Sequence, residues 1–325
     1  MTRRPRRNRK NQTIRNWTQE SFLRPQNLIA PLFLLDAEKE EVAIDSLPGC
    51  FRHGLSNTLK NIEEHLALGV NSFVLFPVVP ENKKDKTGSY SYNPDNFYLK
   101  QAAAIKERFP EVVLMSDVAL DPYSTDGHDG IVQDGEILND ETLPVLNKMA
   151  VAQAQAGFDI IGPSDMMDGR IGTIREALDE ANFTNASIMS YCAKYASAFY
   201  GPFRDALDSA PKAGDKKTYQ MDWSNRREAL IEGELDTQEG ADFLMVKPAL
   251  AYLDVIADLK ANFEVPIAAY NVSGEYAMLH AAAEKGWLDL EKTMVESLGA
   301  IHRAGASIIL TYFAKKYARW FKENH

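Results

Sequence analysis

The sequence predicts a single (β/α)8 barrel, a TIM barrel, preceded by an extended N-terminal arm. Three observations predict it. Eight short, β-branched apolar runs alternate with helical patterns, and such alternation means parallel strands joined by crossovers. The runs are almost continuously apolar, as strands covered by an outer ring of helices must be. Eight strands also close a barrel, and no G-x-G-x-x-G follows the first run, which disfavours the runner-up, an open doubly wound sheet. A length of 325 residues could hold two domains of about 150 residues, yet barrels of about 250 fold as one. No linker interrupts the pattern, so we divide the chain into an oligomerisation arm, 1–25, and a catalytic barrel, 26–325.

The arm opens MTRRPRRNRK, with six basic residues in ten. No apolar segment follows, so it is not a secretory signal; a charge run of this kind is a flexible or partner-docking tail. Trp17, Phe22 and Leu23 are apolar positions that so short an arm cannot bury without a surface to wrap. The eight runs then fall at 27–35, 72–79, 112–120, 158–167, 186–193, 243–249, 266–272 and 307–313. Between the first two, Ser56 is placed to cap a helix carrying Leu59, Ile62 and Leu66, closed by Gly69. After the third, Asn139 and Asp140 are placed to cap another with Leu143, Leu146, Met149 and Ala150, closed by Gly157. One connection is anomalous: 201–225, after the fifth run, is rich in Lys, Asp, Gly and Pro. Connections this long are usually lids or binding loops.

Composition excludes several classes of function. No stretch approaches ~18 uninterrupted apolar residues, so no membrane span is expected. The net charge is −10. Beyond the first ten residues, 30 basic residues face 46 acidic ones, a balance that repels nucleic acid. Two cysteines, Cys50 and Cys192, make neither a disulfide framework nor a four-cysteine zinc site. They suit a reducing compartment, and a cytoplasmic (or plastid-like) location is expected.

In a barrel of this kind the active site forms at the C-terminal ends of the strands. The third run ends in Ser116 and Asp117 and leads into Asp121, Asp126, His128 and Asp129. The fourth ends in Asp165 and Asp168, the seventh in Tyr270, Asn271 and Ser273, the eighth in Thr311 and Tyr312. Two lysines carry the most information. Lys194 and Lys247 end the fifth and sixth runs, which would be neighbours about 4.8 Å apart. Desolvation and like-charge repulsion both lower a lysine pKa. A neutral amine beside another cationic group is a Schiff-base nucleophile toward a ketone or aldehyde. The opposing reading pairs each lysine with a carboxylate such as Asp117 or Asp165, but two buried ammonium groups are expensive. Two amines suit two carbonyl substrates, whose carboxylates would be met by Ser273 and Tyr312 on one side and by Arg204, Lys216 and Gln220 on the other. The aspartates of DVALDPYSTDGHDG suit either a hard cation or a metal-free acidic turn.

These residues resemble the porphobilinogen synthase (5-aminolevulinate dehydratase) family. The resemblance runs from about Arg24 to Phe321. It is most specific in SYCAKYASAFYGPFR (190–204), FLMVKPAL (243–250), AAYNVSGEYAM (268–278) and GPSDMMDGRIGTIREALD (162–179). It implies condensation of two 5-aminolevulinate molecules to porphobilinogen with loss of two waters, in tetrapyrrole biosynthesis. It implies further that Lys247 holds the propionate-side substrate and Lys194 the acetate-side one as Schiff bases. Ser273 and Tyr312 match binders of the first carboxylate, and Arg204, Lys216 and Gln220 binders of the second. Asp117 matches an acid that handles the substrate amine; Tyr200, Phe203 and Tyr270 match pocket-lining positions. Where zinc-dependent members carry three cysteines, this chain has Ala119, Asp121 and Asp129, so it resembles the zinc-independent branch. Water, or a weakly held ion on Asp121 and Asp129, are the alternatives in that place; no organic cofactor is implied. Glu232 matches the single protein ligand of an allosteric Mg²⁺, and the family's homo-octamer is implied. The alternative reading is another Schiff-base barrel lyase of the class I aldolase type, which needs only one reactive lysine.

Overall fold

The structure, a computed structural model, describes residues 1–207 and 212–325; part of the 201–225 connection, 208–211, thus lies outside the described residues. Eight parallel strands form the barrel: β1 (Leu28–Leu35), β2 (Ser72–Val78), β3 (Val113–Met115), β4 (Ile160–Ile161), β5 (Ser187–Lys194), β6 (Phe243–Lys247), β7 (Ile267–Asn271) and β8 (Ile308–Thr311). Each pairs with the next in sequence, and β8 returns to β1 through Leu28↔Ile309 and Ile29↔Leu310, closing the sheet. Closure leaves no unpaired edge and fills the interior with side chains. Phe33, Phe73, Phe76, Leu114, Ile188, Met245 and Leu310 are all essentially buried.

The helices are α1 (Gln12–Trp17), α2 (Leu55–Leu66), α3 (Phe97–Arg108), α4 (Asn139–Gln155), α5 (Arg170–Glu180), α6 (Gly201–Leu207), α7 (Glu228–Gln238), α8 (Leu253–Asn262), α9 (Ser273–Glu284), α10 (Leu290–Ala304) and α11 (Ala314–Asn324). From α2 onward they cover the strands. Among the described residues no helix is long and apolar enough to cross a membrane.

Several local expectations are corrected. The third and fourth runs were expected to be long strands, yet β3 and β4 are short. Pairing continues only as the isolated bridge Val118↔Pro163, and the chain then turns away, with Met166 at a φ of 68°. Gly54, not Ser56, caps α2; the Ser56 hydroxyl instead bonds the Glu38 carboxylate. Neither Asn139 nor Asp140 caps α4, whose cap is Leu138. Asn139 Oδ1 accepts from the Asp168 N–H at 2.7 Å, tying α4 to the end of the fourth run. Gly69 and Gly157 do close their helices, with φ of 85° and 100° that favour glycine. In the arm, Trp17 and Phe22 are exposed as expected, but Leu23 is buried on its own barrel, where its carbonyl accepts from Tyr317 Oη at 3.0 Å.

Candidate active site

Lys194 and Lys247 are register partners across β5 and β6, and both are 6% exposed. Their surroundings differ in kind. Lys194 Nζ lies 3.0 Å from Asp129 Oδ2 and also donates to the Ser164 carbonyl. Lys247 Nζ has no ion-pair partner among the described residues. It sits amid four rings, 5.2 Å from the centroid of Tyr191, 5.3 Å from Tyr200, 5.0 Å from Phe203 and 4.9 Å from Tyr270. Burial, and then the neighbouring Lys194, lower the Lys247 amine to about 7, against the opposing pull of Asp117, Asp121 and Asp129. At neutral pH much of this amine is unprotonated, which a carbonyl-addition nucleophile requires.

Asp117, just beyond β3, is 7% exposed. Burial, reinforced by Asp121, raises its carboxyl to about 6. Ser164 Oγ donates to Asp117 Oδ1 at 2.6 Å, so Ser164 touches both Asp117 and Lys194. Close packing of the chain at this point is enforced by Gly162: a Cβ there would fall 2.5 Å from the Ser116 carbonyl oxygen.

The connection after β5 closes one side. Lys216 Nζ lies 2.5 Å from Asp129 Oδ1 and 3.3 Å from Asp121 Oδ2. Burial works against the Lys216 charge, but these two carboxylates prevail and hold its pKa above the ordinary lysine value. Asp129 therefore bridges two ammonium groups. Burial would raise its pKa, yet Lys194 and Lys216 bring it down to about 2. The Asp121 and Asp129 carboxylates are thus engaged by lysine, not gathered as an open oxygen cluster. Tyr219 Oη lies 3.1 Å from His128 Nδ1 and accepts from the Asp129 N–H at 3.4 Å, and His128 Nε2 lies 2.9 Å from the Ala213 carbonyl. With a neutral imidazole, one consistent arrangement has Nε2–H donating to Ala213 and Nδ1 accepting from Tyr219. Gln220 is buried, and its Oε1 has no partner among the described residues.

On the opposite side, Tyr270 Oη and Tyr312 Oη lie 3.1 Å apart. Ser273 Oγ accepts from the Phe203 N–H at 3.0 Å, which draws α6 onto the start of α9. Gly274 permits this approach, since a Cβ there would sit 2.5 Å from the Phe199 carbonyl oxygen. The Phe203 ring then packs edge-on against Phe76 at 5.0 Å.

The structure therefore brings together Lys194, Lys247, Asp117, Asp121, Asp129 and Lys216, with Tyr200, Phe203 and Tyr270 around Lys247 and Tyr312 bonded to Tyr270. It does not bring in Arg204, which is exposed on α6. Arg204 is one residue past Phe203, and a helical step turns it outward. Sequence reasoning missed Tyr191, Ser164 and Tyr219. Tyr191 stands three residues before Lys194 in SYCAK, and Ser164 precedes Asp165 at a strand end; both positions were legible signals. Glu232 lies on α7 away from this group. It is half-buried, not the ordinary exposed helix residue. Burial, offset by Arg170 and reinforced by Asp236, Asp168 and Glu228, raises its carboxyl to about 7. Among the described residues no three His, Cys, Asp or Glu side chains cluster as a metal site.

Comparison with known proteins settles the family. Residues 2–320 match the sequence profile described as "Delta-aminolevulinic acid dehydratase". The chain belongs to the delta-aminolevulinic acid dehydratase family. It is 56% identical over 325 residues to a delta-aminolevulinic acid dehydratase named chloroplastic from Physcomitrium patens, covering 98% of this chain and 74% of that protein. The corresponding protein 1 of Arabidopsis thaliana is 54% identical over 320 residues, with the same shares covered. A crystal structure of the Toxoplasma gondii ME49 enzyme in complex with the reaction product porphobilinogen superposes with a TM-score of 0.98 at 51% identity, covering 100% of this chain and 93% of that one. The cytoplasmic expectation is corrected by these relatives: those from Physcomitrium, Selaginella and rice are all named chloroplastic, which points to a plastid. A cysteine-poor chain reports a reducing environment and does not distinguish the two compartments.

Proposed function

We propose that this chain condenses two molecules of 5-aminolevulinate to porphobilinogen with loss of two waters, holding both as lysine Schiff bases. The observation that carries the reading is the unlike pair: register-matched buried lysines, one ion-paired and one enclosed by aromatic rings with an amine near 7. Lys247, as the free amine, adds to the ketone of the first substrate, and water leaves as the imine forms. Tyr312 and Ser273 receive that substrate's carboxylate. Lys194 takes the second ketone after yielding its proton, with Asp129 and Ser164 holding the amine in place. Asp117, titrating near 6, is suited to exchange a proton with a substrate amine near neutrality. Lys216 and Gln220 face the second carboxylate. Arg204 joins them when α6 shifts over the bound substrate, excluding water. Incubation with 5-aminolevulinate followed by a colour test for a pyrrole decides the activity; no pyrrole from folded protein would overturn it.

The reading extends to metals and assembly. Ala119, Asp121 and Asp129 after β3, with Lys194 and Lys216 paired to the two aspartates, support a zinc-independent site. Glu232 offers a hard oxygen donor in an acidic setting, and an ion such as Mg²⁺ keeps several waters and needs few protein ligands. Bound there, Mg²⁺ would neutralise charge and favour the form that holds it. The exposed Trp17 and Phe22 suit an arm, 1–25, that docks on a neighbouring copy, in a closed homo-octamer.

A further inference from the structure

Three strand ends carry the groups assigned to the first substrate: Lys247 on β6, Tyr270 leading to Ser273 after β7, and Tyr312 after β8. A buried hydrogen-bonded brace joins these ends. Thr311, immediately before Tyr312, is the register partner of Asn271. Its Oγ1 donates to Asn271 Oδ1 at 2.9 Å and accepts from the Phe313 N–H at 3.1 Å. Asn271 Nδ2 donates to Glu275 Oε2 at 2.9 Å, and the Val272 N–H donates to the same oxygen at 3.1 Å. Glu275 Oε1 accepts from the Leu250 N–H at 2.7 Å, three residues beyond Lys247. Thr311 and Glu275 are fully buried and Asn271 is 1% exposed.

This brace touches none of the groups assigned to substrate, yet spans the strands that carry them. Every polar atom named in it has a partner, and satisfied buried networks are rigid and specify one geometry. A carboxylate accepting from three donors has no substitute here. A glutamine would place an NH₂ against an N–H, either Asn271 Nδ2 and Val272 N or Leu250 N. The brace therefore ties the backbone three residues beyond Lys247 to the strand ends that precede Ser273 and Tyr312.

We propose that Glu275, Asn271 and Thr311 are positioning residues that act as a ruler. They would set the span from lysine to carboxylate site so that it selects 4-oxo acids, in which two methylenes separate ketone and carboxylate. The proposal rests on the Schiff-base reading above. A displacement of about 1 Å costs up to about 100-fold in rate at a positioned centre, so a loosened brace should show as lost length discrimination.

The test is borohydride trapping of ketones on Lys247 in the full-length protein, comparing 4-oxopentanoate, 5-oxohexanoate and pentan-2-one. In the wild type 4-oxopentanoate should trap fastest. In Glu275→Gln, and in Thr311→Val should the first variant not fold, the ratio of 4-oxopentanoate to 5-oxohexanoate should fall about tenfold. Trapping of pentan-2-one, which lacks a carboxylate, should be unchanged. A merely structural role would lower all three rates together. An unaltered ratio in a folded variant, or a parallel loss of all three, overturns the ruler. Failure of the wild type to trap any ketone on Lys247 would instead overturn the Schiff-base reading, and the ruler with it.

Discussion

Lys247 and Lys194 occupy paired positions on adjacent strands, yet Asp129 lies 3.0 Å from the Lys194 amine while the Lys247 amine has no ion-pair partner among the described residues and faces four aromatic rings. One backbone register thus presents two amines in unlike surroundings, one against a carboxylate and one against rings. The Schiff-base proposal assigns the first step to the one without an ion-pair partner.

Burial of an unpaired amine has a stability cost with a defined pH dependence. The Lys247 pKa falls from 10.5 in the unfolded chain to about 7 in the native one. Below about 7 the native state carries a buried charge and the cost is complete; it fades as pH rises toward 10.5. Lys247→Met should therefore stabilise the protein near pH 6 by about 1–4 kcal/mol, the range seen when buried charges give way to apolar groups. The gain should shrink near pH 10. Urea midpoints at the two pH values check this, and a gain that is the same at both would contradict it.

Asp129 has the opposite sign. Its pKa is depressed from 3.8 to about 2, so its contribution is complete above about pH 4 and is lost as pH falls through about 2. Asp129→Asn leaves Lys194 and Lys216 buried without their shared carboxylate. The variant should lose about 3–5 kcal/mol at neutral pH, the cost of breaking a buried pair, and nearly all turnover. Denaturation that matches the wild type would show that the bridge holds nothing.

The segment carrying Lys216 is fastened by Tyr219 and His128. Tyr219→Phe removes a hydroxyl that serves both His128 and the Asp129 N–H, a loss of about 1 kcal/mol for each bond. The substrate concentration for half-maximal rate should rise several-fold, with global stability changed by less than the Asp129 variant. Steady-state kinetics at fixed pH would reveal it; an unchanged dependence on substrate would remove the fastening role.

Metal dependence should divide cleanly. A zinc-selective chelator should leave activity intact. Mg²⁺ should raise both activity and apparent mass in light scattering, because an ion that binds only the assembled form favours it. The Glu232 carboxyl is raised to about 7, so the Mg²⁺ response should strengthen as pH rises through 7 and the carboxylate ionises. Glu232→Gln should lose the response. Full stimulation of that variant, or activity restored by zinc alone after chelation, would contradict this.

Much of this was legible in the sequence. Barrel strands announce themselves by apolar continuity, and a lysine ending such a run, at 194 and again at 247, has few uses. Pairing across the barrel was less legible. Nothing in the spacing says that Asp129 bridges Lys194 and Lys216, or that Asp121 faces a lysine and not an ion, because those contacts join segments more than 60 residues apart. A guanidinium on the long connection suits a carboxylate, which points Arg204 toward the site in the sequence; on α6 a helical step past Phe203 turns it outward. Asn271 and Thr311 stand out in the sequence as polar strand ends, but their link through Glu275 does not, because it joins segments 25 and 40 residues apart.

The most direct test of the central claim is reduction of the protein with borohydride in the presence of 5-aminolevulinate, followed by peptide mass spectrometry. A stable substrate adduct is expected on Lys247, with a second on Lys194 at higher substrate concentration, and no turnover in Lys247→Ala. An unmodified Lys247 in protein that still forms pyrrole, or a Lys247→Ala variant with wild-type rate, would contradict it.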